Sequence, residues 1–275
     1  MPEGHTIHRH ATEHRRLFSG DQLQVSSPQG RFAAGAARLD GRVMASAQPH
    51  GKHLFLGFTP SPGRRPDEWL HVHLGLIGGW TFAALADGQA PPPPRGAVRV
   101  RLVGERGYAD LRGPTVCEVL TTDDVKRVRA RLGADPLRKD ADPDRAGARI
   151  RRSVVPIGAL LMNQEIVAGV GNVYRAEALF RARLDPWAEG RTLDVETWQG
   201  LWADLVGLLK TGVRQGRIVT TLPEHRDRRS GPARPEDAHY VYRRAGLPCR
   251  LCGTPVVTEP MVGRNLYRCP TCQQA

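Results

Sequence analysis

The sequence predicts an α+β chain of several domains: a helix-led β-sandwich over residues 1–125, a linker and helical domain over 126–238, and a small metal-clamped β-ribbon over 239–275. Three observations predict it. Short alternating or apolar runs, punctuated by glycine and proline, fill the first 125 residues. Helical stripes flank a glycine-rich turn in the middle. Four cysteines in two Cys-x-x-Cys pairs close the chain.

Behind "MPEG" the spacing predicts a helix over roughly Thr6 to Phe18. The runs "HLFLGF" (53–58), "WLHVHLGLIGGW" (69–80), "AVRVRLVG" (97–104) and "TVCEVL" (115–120) read as strands. "PPPP" at 91–94 marks an exposed loop. His71 and His73 project from one face of a strand, where satisfied strand histidines outweigh a metal pair. Cys117 sits in an apolar strand pattern and reads as a buried small hydrophobe.

Residues 124–152 are basic and predict a helix followed by a linker around Asp140–Asp144. Pro156 opens a further helix, with Ile157, Leu160 and Leu161 on its apolar face. "AGVGN" interrupts the pattern before a helix from Asn172 to about Arg183. Gly169 and Gly171 allow close backbone approach, and the first N–H groups of that helix face an anion. A long helix over about 194–213 carries Trp198, Leu201, Trp202, Leu205 and Leu209 as a core stripe. Residues 216–239 are polar and irregular and read as a mobile loop.

Cys249 and Cys252 are separated from Cys269 and Cys272 by sixteen residues that read as strand, turn, strand. Two such knuckles form a tetrahedral Zn2+ signature, and four thiolates leave no open position for catalysis. One structural zinc per chain is expected. So short a hairpin has no adequate core, so the metal supplies its folding free energy, about 10–16 kcal/mol in zinc-finger peptides. Arg264, at the hairpin turn, is placed to grip a phosphate.

Lys and Arg outnumber Asp and Glu by 40 to 28, a net charge of +12, and only four of the forty are lysines. An arginine-rich excess favours a polyanionic partner, nucleic acid first. No apolar run is long enough for a membrane span, and no secretory signal pattern opens the chain. The expectation is a monomer in the cytoplasm, associated with the nucleoid.

In this order, "MPEG", "GKHL" (51–54), "HLGL" (73–76), "GVGNVYRAE" (169–177) and the four-cysteine finger with "VGR" resemble the Fpg/Nei DNA glycosylases, the family of formamidopyrimidine-DNA glycosylase and endonuclease VIII. The resemblance spans nearly the whole chain. It implies an N-terminal β-sandwich with a leading helix, a helix–two-turn–helix α domain and a C-terminal zinc β-ribbon. It also implies damaged DNA as the partner and base excision as the reaction. Pro2, freed of Met1, would attack C1′ of the damaged nucleotide and form an iminium with the sugar, which then permits β- and δ-elimination. An α-amine, with a pKa near 7.7–8.0, is far more often neutral at physiological pH than a lysine near 10.4. Glu3 would move protons at the sugar. The same resemblance places Lys52, grouped with the catalytic residues, together with His73, Asn172 and Arg264 on DNA phosphates around the damaged site. Tyr242 matches such a contact less closely, and Glu177 matches a residue near the lesion pocket or a helix-packing position.

The sequence departs from the formamidopyrimidine branch where the hole left by the flipped base is filled. Leu76 follows "HLG" where that branch has methionine, and "ADLRGPT" has Arg112 followed by Gly113 and Pro114, with no arginine–phenylalanine pair. Leu76 is the candidate wedge, and Arg112 is kept as a candidate DNA contact. The opening favours the endonuclease VIII branch and oxidised pyrimidines. Two alternatives stand beside this reading: an oxidised-purine glycosylase of the same fold, and a zinc-dependent DNA-binding protein without catalysis.

Overall fold

The computed structural model describes residues 2–274. It divides into two compact units, one ending at Arg131 and one beginning at Leu132.

The first unit runs α1 (Gly4–Phe18), β1 (Gln24–Ser26), α2 (Ala33–Leu39), β2 (Val43–His50), β3 (His53–Thr59), β4 (Glu68–His73), β5 (Gly79–Ala84), β6 (Val98–Gly104), β7 (Gly107–Arg112), β8 (Val116–Thr121) and α3 (Thr122–Ala130). Two four-stranded antiparallel sheets, ordered β1-β6-β7-β5 and β2-β3-β4-β8, form the sandwich. Strand periodicity decides what lies between them. Leu54, Leu56 and Phe58 of β3 and Leu70 and Val72 of β4 enter the main core with Val100, Leu102, Ala109 and Leu111 of the other sheet. Alpha1 adds Ile7, Ala11, Leu17 and Phe18. The intervening residues Phe55 and Trp69 point to the opposite face and pack with Val125 of α3. A capping box between Thr121 and Asp124 starts that helix.

The second unit contains α4 (Pro143–Ile150), α5 (Ile157–Leu160), α6 (Asn172–Arg181), α7 (Val195–Gln215), β9 (Val257–Met261) and β10 (Arg264–Arg268). Ile150, Leu161, Val170, Tyr174, Leu179, Trp198, Leu205 and Leu209 build its helical core. Gly216, at φ +70°, closes α7 in the left-handed conformation. The antiparallel pair β9–β10 is a separate two-stranded sheet. Among the described residues no helix is long and apolar enough to cross a membrane.

Several expectations shift. Alpha1 begins at Gly4, two residues earlier than its apolar pattern. The run 69–80 is two strands joined by a tight turn, and β7 was not expected. The linker around Asp140–Asp144 is instead the start of α4: Asp142 Oδ1 accepts from the Arg145 amide at 2.9 Å and Pro143 occupies the first turn. The 216–239 segment is pinned rather than loose. Arg226 donates to Thr221 Oγ1 at 3.0 Å and to its carbonyl at 2.6 Å. Arg250 reaches the Glu236 carbonyl at 2.8 Å and buried Asp237 at 3.3 Å. Cys117 is half-buried, packed against the sandwich core, and burial pushes its thiol up to about 12.

Candidate active site and nucleic-acid contacts

At the start of the first unit, Pro2 is half-buried and Glu3 is wholly buried. Glu3 caps α1 in extended backbone, φ −124° and ψ −175°, and its carbonyl accepts from the Thr6 amide at 2.9 Å. The positive end of α1 therefore lies at the chain start, where its potential disfavours a positive charge. Met1, whose removal the proline chemistry requires, lies outside the described residues.

Lys52 stands on the Gly51–Lys52 turn that pairs His50 with His53. Its charge acts on both His53 and His73. His73 ends β4, with Nδ1 3.2 Å from the Gly75 amide and 3.0 Å from Thr115 Oγ1. An amide can only donate, so Nδ1 accepts and Nε2 carries the proton as an outward donor. Burial, then Lys52 and His71, push the His73 pKa down, so that donor is neutral.

The β4–β5 connection is built for close backbone contact. Gly75 has φ +67°, and a Cβ on Gly78 would meet the Leu74 carbonyl oxygen at 2.3 Å and that of Gly113 at 2.8 Å. The turn lifts two apolar side chains into solvent, Leu76 at 50% exposure and Ile77 at 90%. Ile77 was missed in the sequence because the run reads as one continuous strand. Arg112 is bound within its own unit: Nε and one terminal nitrogen donate to the Arg95 carbonyl at 3.1 and 2.9 Å, the other donates to Thr81 Oγ1 at 2.9 Å, and Asp110 pairs with it at 3.1 Å. It anchors the end of the proline loop, which buried Arg101 also holds through the Pro92 carbonyl at 2.7 Å.

In the second unit, two candidate residues are engaged within the protein. Asn172 is buried, and its amide donates to the Asn265 carbonyl at 2.9 Å while its oxygen accepts from Arg175. The side chain ties α6 to the hairpin. Glu177 is wholly buried. One oxygen accepts from the Val241 and Tyr242 amides at 2.8 and 2.7 Å; the other accepts from the Tyr240 amide at 2.8 Å and from the Thr220 hydroxyl. It has no surface to offer DNA and serves as the anchor of the 240–242 segment. Tyr242 is half-buried, edge-on to Tyr267 at 5.3 Å and beneath the Arg243 guanidinium at 5.6 Å. Arg264 is exposed at the first position of β10.

The four cysteines bring their sulfurs within 4.8 Å of one another. Cys249 and Cys272 lie 3.9 Å apart, Cys252 and Cys269 3.4 Å. A Zn–S bond near 2.3 Å in a tetrahedron gives sulfur edges of about 3.8 Å, whereas a disulfide would be about 2.0 Å. The donor set therefore fits zinc.

A helix-led sandwich opening on Pro-Glu, a glycine turn into α6 and a thiolate hairpin bearing an exposed arginine together define one class of DNA-repair fold. Comparison with known proteins agrees along the chain. The formamidopyrimidine-DNA glycosylase N-terminal domain matches residues 1–117, its H2TH domain residues 132–223, and the zinc finger found in FPG and IleRS residues 246–275. The chain is 51% identical to "Endonuclease 8 1" of Mycobacterium tuberculosis over 276 residues, covering 99% of this chain and all of that protein. The crystal structure of the MutM (Fpg) protein from Thermus thermophilus matches with a TM-score of 0.76 at 30% identity, covering 99% of this chain and 98% of that one. A Lactococcus lactis Fpg bound to abasic-site DNA shares the fold at a TM-score of 0.78 and 22% identity, over 99% and 100% of the two chains. The chain belongs to the Fpg/Nei family of DNA glycosylases.

Proposed function

We propose that this protein is a bifunctional base-excision DNA glycosylase and abasic-site lyase that removes oxidised bases, pyrimidines in preference, through a Schiff base on Pro2. The observation that carries the reading is the chain start: a proline and a wholly buried glutamate stand directly ahead of a long helix, in a chain 51% identical to an endonuclease 8. The Pro2 nitrogen attacks C1′ and the base departs. Glu3, held out of water, exchanges protons with the sugar as the ring opens. The iminium draws electrons from the adjacent C2′–H bond, so β-elimination releases the 3′ phosphate and a second elimination the 5′ phosphate.

In this reading Lys52 and His73 hold phosphates, and Arg264 holds another from the finger; phosphate contacts position the duplex without reading its sequence. Leu76, with Ile77 beside it, fills the space left by the everted base, whose extrusion costs a few kcal/mol. The work divides among a catalytic sandwich (1–125), a helical DNA-binding part (126–238) and a finger (239–275) holding one zinc, in a monomer acting at the nucleoid. The pyrimidine preference rests on the endonuclease 8 similarity.

Borohydride trapping tests the chemistry. Protein shown by mass spectrometry to begin at Pro2 gives a covalent adduct with abasic-site DNA, and Pro2→Gly, still a terminal amine, retains only part of it. No adduct from protein beginning at Pro2 refutes the Schiff base. Faster cutting at 8-oxoguanine than at thymine glycol in parallel duplexes refutes the pyrimidine preference alone.

A further inference from the structure

His53, His71 and Glu118 share one face of the β2-β3-β4-β8 sheet, the face that α3 covers farther along at Phe55 and Trp69. The register sets His53 opposite His73 and His71 opposite Glu118. His71 Nδ1 lies 2.9 Å from Glu118 Oε1, and His71 Nε2 lies 2.8 Å from His53 Nδ1. These contacts fix the tautomers. A carboxylate only accepts, so His71 is protonated on Nδ1 and its Nε2 is a lone pair. His53 must then donate from Nδ1, which leaves its own Nε2 a lone pair. His73 is set the opposite way, with a proton on Nε2. The two rings, 5.0 Å apart, thus present one acceptor and one donor.

We propose that Glu118, His71 and His53 form a proton relay that positions the Lys52–His73 edge for DNA, converting His53 from an acceptor to a donor when a phosphate docks. The proposal rests on the reading of Lys52 and His73 as phosphate contacts. A phosphate oxygen meets a lone pair at His53 unless a proton arrives there. One proton taken from solvent adds to His53 Nε2. The Nδ1 proton of His53 then passes to His71 Nε2, and His53 is neutral again with its proton facing outward. The positive charge rests on His71, hydrogen-bonded to the Glu118 carboxylate, away from Lys52. The carboxylate side chain is half exposed and the His71 side chain only 4% exposed, so the relay links a buried cation to solvent-side counter-charge.

The surroundings keep the relay neutral before DNA arrives. Burial first, then His71, His73, His50 and Lys52, pull the His53 pKa down to about 3. Burial lowers that of His71 despite Glu118, which raises it. Alpha3, packed on β4 and β8, carries Lys126, paired with Asp123 at 2.8 Å, and Arg129, bonded to Gln48 of β2 at 2.9 Å. A bound phosphate reverses the balance by raising the relay's affinity for a proton. By linkage, DNA binding then takes up a proton, and affinity climbs as pH falls below the pKa of the complex.

The test is the pH dependence of affinity for a labelled duplex carrying a tetrahydrofuran abasic analogue, from pH 8 to pH 6 at constant ionic strength. Glu118→Gln keeps an acceptor for His71 Nδ1 but removes the counter-charge. Wild type should gain about five-fold or more in affinity over this range relative to Glu118→Gln. His73 is present in both proteins, so its own titration cancels. Equal slopes overturn the relay. Nitrogen-15 histidine NMR gives an independent readout: His53 protonated on Nδ1 in the free protein at pH 8 and on Nε2 in the complex at pH 6. Finding Nε2 protonated in the free protein at pH 8 overturns the relay as well. If instead Lys52→Ala binds the duplex as tightly as wild type, the phosphate reading of Lys52 fails, while the tautomer assignment stands or falls separately.

Discussion

Two β-hairpins in this chain use the same device and are held by different forces. Each places a cation at a two-residue turn between antiparallel strands: Lys52 between β2 and β3, Arg264 just after the turn between β9 and β10. The first hairpin belongs to a four-stranded sheet, and Leu54 and Leu56 anchor it in the sandwich core. The second is two-stranded, a form marginal on its own in water. Its apolar support is small, chiefly Leu266, Met261 and the cluster of Val256, Tyr240 and Phe180 around the buried cysteines. Apolar burial fixes one cation, and thiolate–metal bonds fix the other. The turns differ too. In the first, Gly51 takes the left-handed position (φ +57°); in the second, Val262 (φ +52°) and Gly263 (φ +66°) both do.

The largest separation of the two should follow metal removal. A chelator, or Cys269→Ser, should unfold the second hairpin and leave the first intact, because the metal's contribution of about 10–16 kcal/mol exceeds what so small a sheet gains from burial. Circular dichroism in the near ultraviolet should retain the signal of Trp69 and Trp80, both buried in the first unit. DNA affinity should drop by at least about ten-fold through loss of Arg264 and its neighbours. A protein that binds DNA normally without zinc would mean that apolar contacts alone hold the finger.

Glu177 sharpens the comparison from within the second unit. Its carboxylate accepts from three consecutive backbone amides in the segment leading into the knuckles and from the Thr220 hydroxyl. Glu177→Gln replaces one oxygen with a donor, which then faces backbone donors. An unsatisfied buried group costs about 1–3 kcal/mol, and even with the new NH2 on the Tyr240 side at least one amide loses its partner. We expect a loss of about 1–3 kcal/mol in urea unfolding, a lower zinc-retention midpoint against chelator, and Glu177→Ala no better. An unchanged midpoint would show that the 240–242 segment does not support the finger.

These two cases also mark what the sequence reveals. The cysteine spacing, the glycine turn before α6 and the α7 stripe are legible because each depends on residue type at fixed short separation. Glu177 and Asn172 are not. Their partners, Tyr240 to Tyr242 and Asn265, lie 63 to 93 positions away, and nothing local distinguishes a carboxylate that will face DNA from one that will cap buried amides. His53 and His71 are similar: strand alternation puts His71 and His73 on one face, but only the pairing of β3 with β4 and β8 reveals a hydrogen-bonded line ending at Glu118. Ile77 was hidden by its own apolarity, since a turn that exposes two aliphatic side chains looks like a strand that buries them.

The smallest expected effect lies in the second turn. A β-branched residue at positive φ is disfavoured, at roughly 1 kcal/mol or more, and a hairpin with two left-handed positions prefers Asn-Gly. Val262 is exposed, so no core contact compensates for the backbone. Val262→Asn should therefore stabilise the finger by about 1 kcal/mol, seen as a higher chelator concentration at half zinc release. The corresponding position in the first hairpin is already glycine, and Gly51→Ala there should move stability in the opposite direction. If Val262→Asn instead lowers DNA affinity while raising zinc retention, the valine contributes apolar contact at the DNA surface, and the strain at this turn is tied to function rather than tolerated by it.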